Sequence, residues 1–354
     1  MVHTSISCII DYLLLIWMHS FFHVQCMYIN HGDFMSLPGV GNKTALRCIV
    51  FLCVISVFML TEHTIMIFKS FQISGFPNQK YRSQTEDVTL ITAYFNIGAF
   101  QKTRNTIYSS STYFNWMKQF EYVSNTVILY TDENKFAMKF KSIRKHFPTY
   151  KTKVFVVNQS NLWSFQLKKR LEDIYNQTEY EEYYQNVAIP AYSCAMNTKY
   201  ELLEKVITEN LSTTAFLAWI DIGYFRNKKP GYIKMSIPRN VKDDHVSFSQ
   251  VDFFNDQLTP TEIVYESRFY IAGGFFIGRS KYLLMFAQDY KLAVEWMIDM
   301  NLMNSDQQVL YIMYSPKSPF KPRIPIQTFF QPISLILRST GRWFYLGKVC
   351  QNLI

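Results

Sequence analysis

An α/β domain built on a mostly parallel mixed sheet flanked by helices is the fold this sequence predicts for residues 88–354. Three patterns carry that prediction. Apolar runs of strand length recur along the chain with helix-patterned stretches between them, the signature of repeated β-α units. The runs are nearly continuous rather than alternating, as in strands covered on both faces. Several also end abruptly in polar residues, and open α/β sheets bind ligands outside the carboxyl ends of their strands.

Taken in order, Val88–Phe95 (VTLITAYF) reads as a buried strand and 101–120 as helix-compatible. Thr126–Tyr130 (TVILY) is the second strand, ending at Thr131-Asp132, and Lys153–Val157 (KVFVV) the third. Residues 160–210 read as largely helical, with Leu202, Leu203, Val206 and Ile207 at helical spacing. Ala215–Ile220 (AFLAWI) is a further strand that stops at Asp221-Ile-Gly223. His245–Val251 and Tyr270–Ile277 are expected strands, the second containing Gly273-Gly274, and 280–303 an amphipathic helix. From Ser315 the chain is rich in proline and basic residues and reads as loop with short elements.

Ahead of this domain lies Cys48–Leu60 (CIVFLCVISVFML), uninterrupted and apolar, followed by the weaker TEHTIMIF to Phe68. A spanning helix needs about 20 mostly apolar residues. The run reads as a signal-anchor or a cleaved signal, and the missing A-x-A-like cleavage site favours an anchor. The expected organisation is therefore an N-terminal segment 1–44, a membrane helix at 45–68, a stem at 69–87 and the domain at 88–354. Sequons at Asn158, Asn176 and Asn210 lie beyond the apolar run, which predicts a glycosylated lumenal domain of the Golgi or endoplasmic reticulum.

Composition narrows the functions. Hydrophobic residues make up 49% of the chain and aromatics 17%, which excludes a disordered chain. The net charge of +9 arises wholly beyond residue 69 and suits anionic partners such as nucleotide phosphates or acidic glycans. No dense Lys/Arg run interleaved with aromatics occurs, so nucleic acid is not an expected partner. Gly39–Thr44 lacks the Gly-Lys pair and the strand–helix setting of a phosphate loop. Beyond the apolar segments only Cys194 and Cys350 remain, either one disulfide or two buried thiols.

Asp221 is the sharpest candidate. A carboxylate directly after AFLAWI faces a polar crevice or is bound to something, because burying it alone is costly. It is either a divalent-metal ligand holding a diphosphate or a strand-end cap. Gly273 and Gly274 either let the backbone approach a ligand closely or mark a β-bulge or tight packing site. Asp306 is either a general base or the N-cap of a helix beginning at Gln307.

The ordered blocks TLITAYFNIG (89–98), VILYTD (127–132), AWIDIGYFR (218–226), IAGGFFIG (271–278) and SDQQVL (305–310) resemble the signature blocks of the HtrL/YibB family. That resemblance covers roughly 88–312 and implies a GT-A-like, Rossmann-like nucleotide-sugar domain and a glycosyltransferase. It places Thr92, Ala93, Tyr94 and Asp132 near the nucleotide, with Lys199 and Arg226 against the diphosphate. Gly273 and Gly274 would shape the donor sugar site, Asp306 would face the acceptor as base, and Asp221 would hold Mn or Mg. The implied partners are a nucleotide-sugar donor, a glycan acceptor and the membrane through one helix. Two departures stand out: one carboxylate at Asp-Ile-Gly where many metal-dependent glycosyltransferases have two, and Asn96 where an acidic residue is expected. A non-catalytic lumenal protein that binds a glycan or a partner on the same fold is the rival reading.

Overall fold

Residue parity in the first strand, β1 (Val88–Tyr94), shows how the sheet is buried: Leu90 and Tyr94 enter one hydrophobic cluster and Ile91 enters another on the opposite face. The same split occurs in β4 (Val127–Thr131) and in β6 (Phe216–Ile220), where Leu217 and Trp219 oppose Phe216, Ala218 and Ile220. Both faces are apolar, so both are covered, and the strands need no polar alternation. The computed structural model describes residues 87–103, 106–177, 189–228, 231–331 and 341–353. The chain divides into two units, 1–80 and 81–354, and the expected membrane helix and stem lie outside the described residues, Asp87 excepted. Among the described residues no helix is long and apolar enough to cross a membrane.

The main sheet has seven strands in the order β10-β8-β9-β6-β1-β4-β5, where β5 is Thr152–Val156, β8 Val246–Gln250, β9 Ile271–Arg279 and β10 Ile326–Phe330. β5, β4, β1 and β6 run parallel, and β10 runs parallel to β8. Only β9 is antiparallel to its neighbours, β6 and β8. The sheet is thus mixed and mostly parallel, as the apolar runs predict. The chain winds outward from β1 to β4 to β5, then returns to the other side of β1 as β6. That reversal makes the β1–β6 boundary the switch point, where the carboxyl ends of parallel strands open a crevice.

One face is covered by α3 (Trp163–Gln166), α4 (Lys168–Tyr175), α5 (Pro190–Thr208), α6 (Pro260–Tyr265), α7 (Ser280–Asp299) and α8 (Asp306–Tyr314). The other is covered by α1 (Ser110–Met117), α2 (Asn134–Ile143), the short β7 (Ile233–Met235) and α9 (Tyr345–Cys350). β7 pairs with β11 (Gln351–Leu353), a small sheet the sequence did not signal.

Two expectations are corrected. The stretch 101–120 is not one helix: β2 (Phe100–Thr103) and β3 (Thr106–Tyr108) form a hairpin, and α1 begins only at Ser110. Thr103, Thr106, Ile107 and Tyr108 are β-branched or aromatic, residues that suit a strand better than a helix. Cys194 and Cys350 are both free and buried, and they belong to clusters on opposite faces of the sheet. A disulfide needs Cα atoms within about 7 Å, which a sheet between the two thiols prevents.

Candidate functional site

Asp221 sits at the carboxyl end of β6, at the switch point. Its backbone N–H donates to Gly274 O at 2.9 Å. The register pairing Ile91 with Trp219 puts Ala93, which is partly exposed, beside Asp221 on the α5–α8 face. Trp219, two residues earlier on that face, donates its indole N–H to Asp221 Oδ1 at 2.7 Å. Lys199 Nζ from α5 lies 3.4 Å from the same oxygen, 2.9 Å from Asp306 Oδ2, and donates to Gly273 O at 3.0 Å. Lys199 and Asp306 are sealed, 2% and 3% exposed, whereas 38% of the Asp221 side chain is open. Asp221 Oδ2 accepts no hydrogen bond from the described residues. The site therefore offers one outward carboxylate oxygen on a buried ammonium–carboxylate base.

The glycines make room for this arrangement. Phe248 pairs with Phe276 but Gln250 pairs with Ile271, so β9 bulges across 272–275 while its pairing to β6 holds through Phe275. A Cβ on Gly273 would collide with Asp306 Oδ2 and lie 3.3 Å from Lys199 Nζ; one on Gly274 would lie 3.3 Å from Asp221 Oδ2. The glycine pair is thus both a bulge and a tight packing site.

Withdrawal from water raises the Asp221 carboxyl above its usual range despite its open oxygen, since the rest of the group is packed in protein; the Lys199 ammonium opposes that rise. For Lys199 burial acts to remove the proton, but Asp221 and Asp306 outweigh it and hold the group charged. One cation thus sits between two carboxylates.

The walls are aromatic and cationic. Lys102 of β2 donates to Tyr192 Oη at 2.8 Å and lies 4.5 Å from the centre of that ring. Phe100 packs its edge on Tyr192 and on Tyr108, and Tyr108 packs on Trp116. Arg226 is exposed and its guanidinium lies over Trp116 and Phe344, at 5.5 and 5.3 Å. Gly223 is needed here because a Cβ would meet the Trp116 ring at 2.5 Å. Lys102, Tyr192 and Trp219 were not singled out in the sequence. Only Trp219 had a signal there: spacing of two puts it on the Asp221 face.

Asp132 forms a second, shallow concavity with Val156, Val157, Asn158 and Gln159 at the ends of β4 and β5. Its carboxylate accepts from Asn96 N at 3.0 Å and from Gln159 Nε2 at 2.5 Å. Asn96 Nδ2 donates to Glu133 Oε1 at 2.5 Å, so the residue standing where an acid was expected leans on the neighbouring acid.

Besides the sealed Lys199, three expected site residues are buried in this structure. Thr92 is fully buried within β1 with no hydrogen-bond partner for its hydroxyl. Tyr94 stacks on Phe136 and donates to Ser110 Oγ at 2.9 Å, on the α1–α2 face of the sheet. Asp306 is the first residue of α8, capped by Ser305, and its carboxylate is closed onto Lys199 rather than open to an acceptor. Among the described residues no three His, Cys, Asp or Glu side chains gather around a common point. Asp221 supplies one open carboxylate, so a divalent ion held there would take its remaining oxygens from a diphosphate and water.

A family model described as "Bacterial protein of unknown function (HtrL_YibB)" matches residues 86–324. The chain belongs to the HtrL/YibB family. Within it, Protein HtrL of Escherichia coli (strain K12) is 25% identical over 290 residues, covering 73% of this chain and 91% of that protein. The crystal structure of Core-mannan synthase A from Aspergillus fumigatus, in its Mn/GDP form, is similar at 11% identity with a TM-score of 0.38, covering 67% of this chain and 71% of that one. A likeness of that degree carries nothing about activity. All the HtrL/YibB signature blocks read from the sequence fall within the matched span, and the Lys199–Asp306–Gly273 cluster joins three separate parts of it.

Proposed function

We propose that this HtrL/YibB domain transfers a sugar from a nucleotide-sugar donor to a glycan or protein-linked acceptor, in the secretory pathway and tethered through residues 45–68. The observation that carries the reading is the single open carboxylate of Asp221 at the sheet's switch point, walled by aromatics and by Lys102 and Arg226. Concave sites that pair apolar walls with a few convergent polar groups are the usual sites for small ligands. Asp132, two strands away on the same edge, and its partner Gln159, three strands away, would meet a nucleoside extended from that crevice.

In such a transfer the bond from the anomeric carbon to the diphosphate oxygen breaks with its electron pair going to the phosphate. The acceptor oxygen forms the new bond and loses its proton. The transition state has oxocarbenium character, as in glycoside hydrolysis. Asp221 is the group suited to take the proton: its outer oxygen is open and its raised pKa makes it a better base than an ordinary aspartate. Lys199 fixes its orientation, and Asp306 fixes Lys199. Lys102 and Arg226 supply positive charge to the leaving diphosphate.

Thermal shift of the full-length chain against a panel of nucleotide sugars, with and without manganese, tests donor binding. Asp221→Asn should keep donor binding and lower turnover by about a hundredfold or more, the usual size of a lost general base. An Asp221→Asn chain that instead loses a manganese-dependent shift would assign Asp221 to a metal. The closed Asp306 favours a second reading, a non-catalytic binder, which predicts glycan binding with no nucleotide-sugar response at all.

A further inference from the structure

Residues 134–171 hold ten Lys or Arg and no Asp or Glu, more positive charge in one segment than the chain's net +9. Half of these side chains are engaged inside the fold. Arg144 is buried on backbone carbonyls, and Lys151 and Lys153 donate to Ser124 O and Leu211 O at 3.0 and 2.7 Å. Lys169 and Arg170 pair with carboxylates of α4 and α7. Four of the rest, Lys135, Lys139, Lys141 and Lys145, stay exposed on α2 and just beyond it, with no ion pair or hydrogen bond among the described residues. Helical spacing brings them together: Phe136, Ala137 and Phe140 turn one side of α2 into the core, and these lysines occupy the other.

Between the lysines lies an apolar concavity lined by Phe114, Lys135, Met138, Lys139 and Ser142. Met138 is 66% exposed there, and the Lys135 ammonium lies 5.9 Å from the centre of the Phe114 ring. We propose that this face of α2 is a second binding site, separate from the crevice at Asp221, for an acidic polysaccharide. Lysine-rich clusters of this length attract polyanions. The row from 135 to 145 spans about 15 Å at the helical rise, so its charges meet successive acidic groups of an extended chain rather than one small anion. The half-buried Phe114 ring and Met138 offer an apolar floor to the C–H faces of sugar rings. A lipid surface is less suited, because the apolar side of α2 is buried in the core and Met138 alone is left to insert. Nucleic acid is less suited as well, because one half-buried ring is no stacking platform for successive bases.

The site goes beyond the transferase reading and does not depend on it. α2 leaves β4 directly after Asp132-Glu133, so the row of lysines starts from the sheet edge that carries the crevice. A long acidic acceptor held there remains on the domain after one end leaves the crevice, which raises its effective concentration for a further transfer. Lysines suit such a hold better than arginines. Each is a point charge on a flexible stem, with no planar fork to fix one orientation of the chain.

The test is calorimetric titration of the full-length chain with heparin and with polygalacturonate, one sulfated and one bearing carboxylates alone, beside neutral dextran. At least one acidic polymer should bind, with affinity falling as salt is raised, and dextran should not. Replacing Lys135, Lys139, Lys141 and Lys145 together with glutamine should weaken that binding about tenfold or more, the size expected of four exposed ion pairs. Glutamine at Lys168, Lys281, Lys317 and Lys321, four exposed lysines on other elements, removes the same charge and should leave the binding nearly unchanged. Both variants should melt at the wild-type temperature, because none of these lysines is buried. Equal losses in the two variants would show that net charge alone attracts the polymer and would overturn the site, as would an α2 variant that binds like the wild type. Binding of double-stranded DNA or of phosphatidylserine vesicles through the same four lysines, with no response to either polysaccharide, overturns the assignment in favour of that partner.

Discussion

Lys199 holds the crevice together, and little in its local sequence announces it. The family resemblance puts it against a diphosphate, but α8 and β9 close it onto Asp306, Asp221 and the Gly273 carbonyl. Replacing it with methionine leaves Asp306 and Asp221 without their cation. Breaking a buried pair in this way costs about 3–5 kcal/mol, so Lys199→Met should lower the denaturation midpoint strongly in urea titration. Arg144 makes the same point on the other face. Only 1% exposed, it donates to the backbone oxygens of Phe120, Val123, Asn125 and Lys151, and to Thr152 Oγ1, tying the segment before β4 to β5. Arg144→Met should cost several buried carbonyls their donors and destabilise by about 3 kcal/mol or more, again read from the urea midpoint. Neither residue was legible as a hub, because its partners are distant carbonyls and carboxylates that only the packed chain brings together. Asp221 was legible, because six apolar residues followed by a carboxylate is a local contradiction that only a site resolves.

At the scale of elements, the strands buried on both faces were the easy part, and β1, β4, β5, β6, β8 and β9 each overlap their apolar runs. What misled was 101–108, where spacing compatible with a helix competed with β-branched and aromatic residues, and strand pairing decided the outcome. β10 was hidden for another reason: IQTFF is an edge strand only partly buried, so its sequence lacks the continuous apolar signal of a central one. The bulge of β9 was half visible, since Gly273-Gly274 allowed it but only the register to β8 shows it. Its importance can be measured. Gly273→Ala must push Asp306 or the strand aside, and overpacking of this kind costs about 1–3 kcal/mol. Thermal unfolding should report that loss, and nucleotide-sugar affinity should fall with it because Lys199 donates to the same residue's carbonyl. An alanine variant with wild-type stability and binding would show that the bulge has slack.

The whole molecule puts its polar crevice, its aromatic hairpin and its acidic concavity on one edge of the sheet, and it is there that the expected lumenal topology can be tested against the fold. Asn158, Asn176 and Asn210 are all exposed, so the fold itself permits a glycan at each. They are not equivalent. Asn176 ends α4 and Asn210 follows α5 in a left-handed conformation, φ 52°, and neither lines the concavity at Asp132. Asn158 lies in the concavity with Asp132 and Gln159, its side chain accepting from Ser160 N at 3.0 Å. In a secretory host, enzymatic deglycosylation should increase the chain's gel mobility, and Asn176→Gln and Asn210→Gln should each remove one step of that shift without altering nucleotide affinity. A glycan on Asn158 stands where a nucleoside would lie, so Asn158→Gln should remove its own step and tighten nucleotide binding. Absence of any mobility shift would count against a lumenal domain, and an Asn158→Gln chain that loses a glycan yet binds nucleotide no better would move the nucleoside away from Asp132.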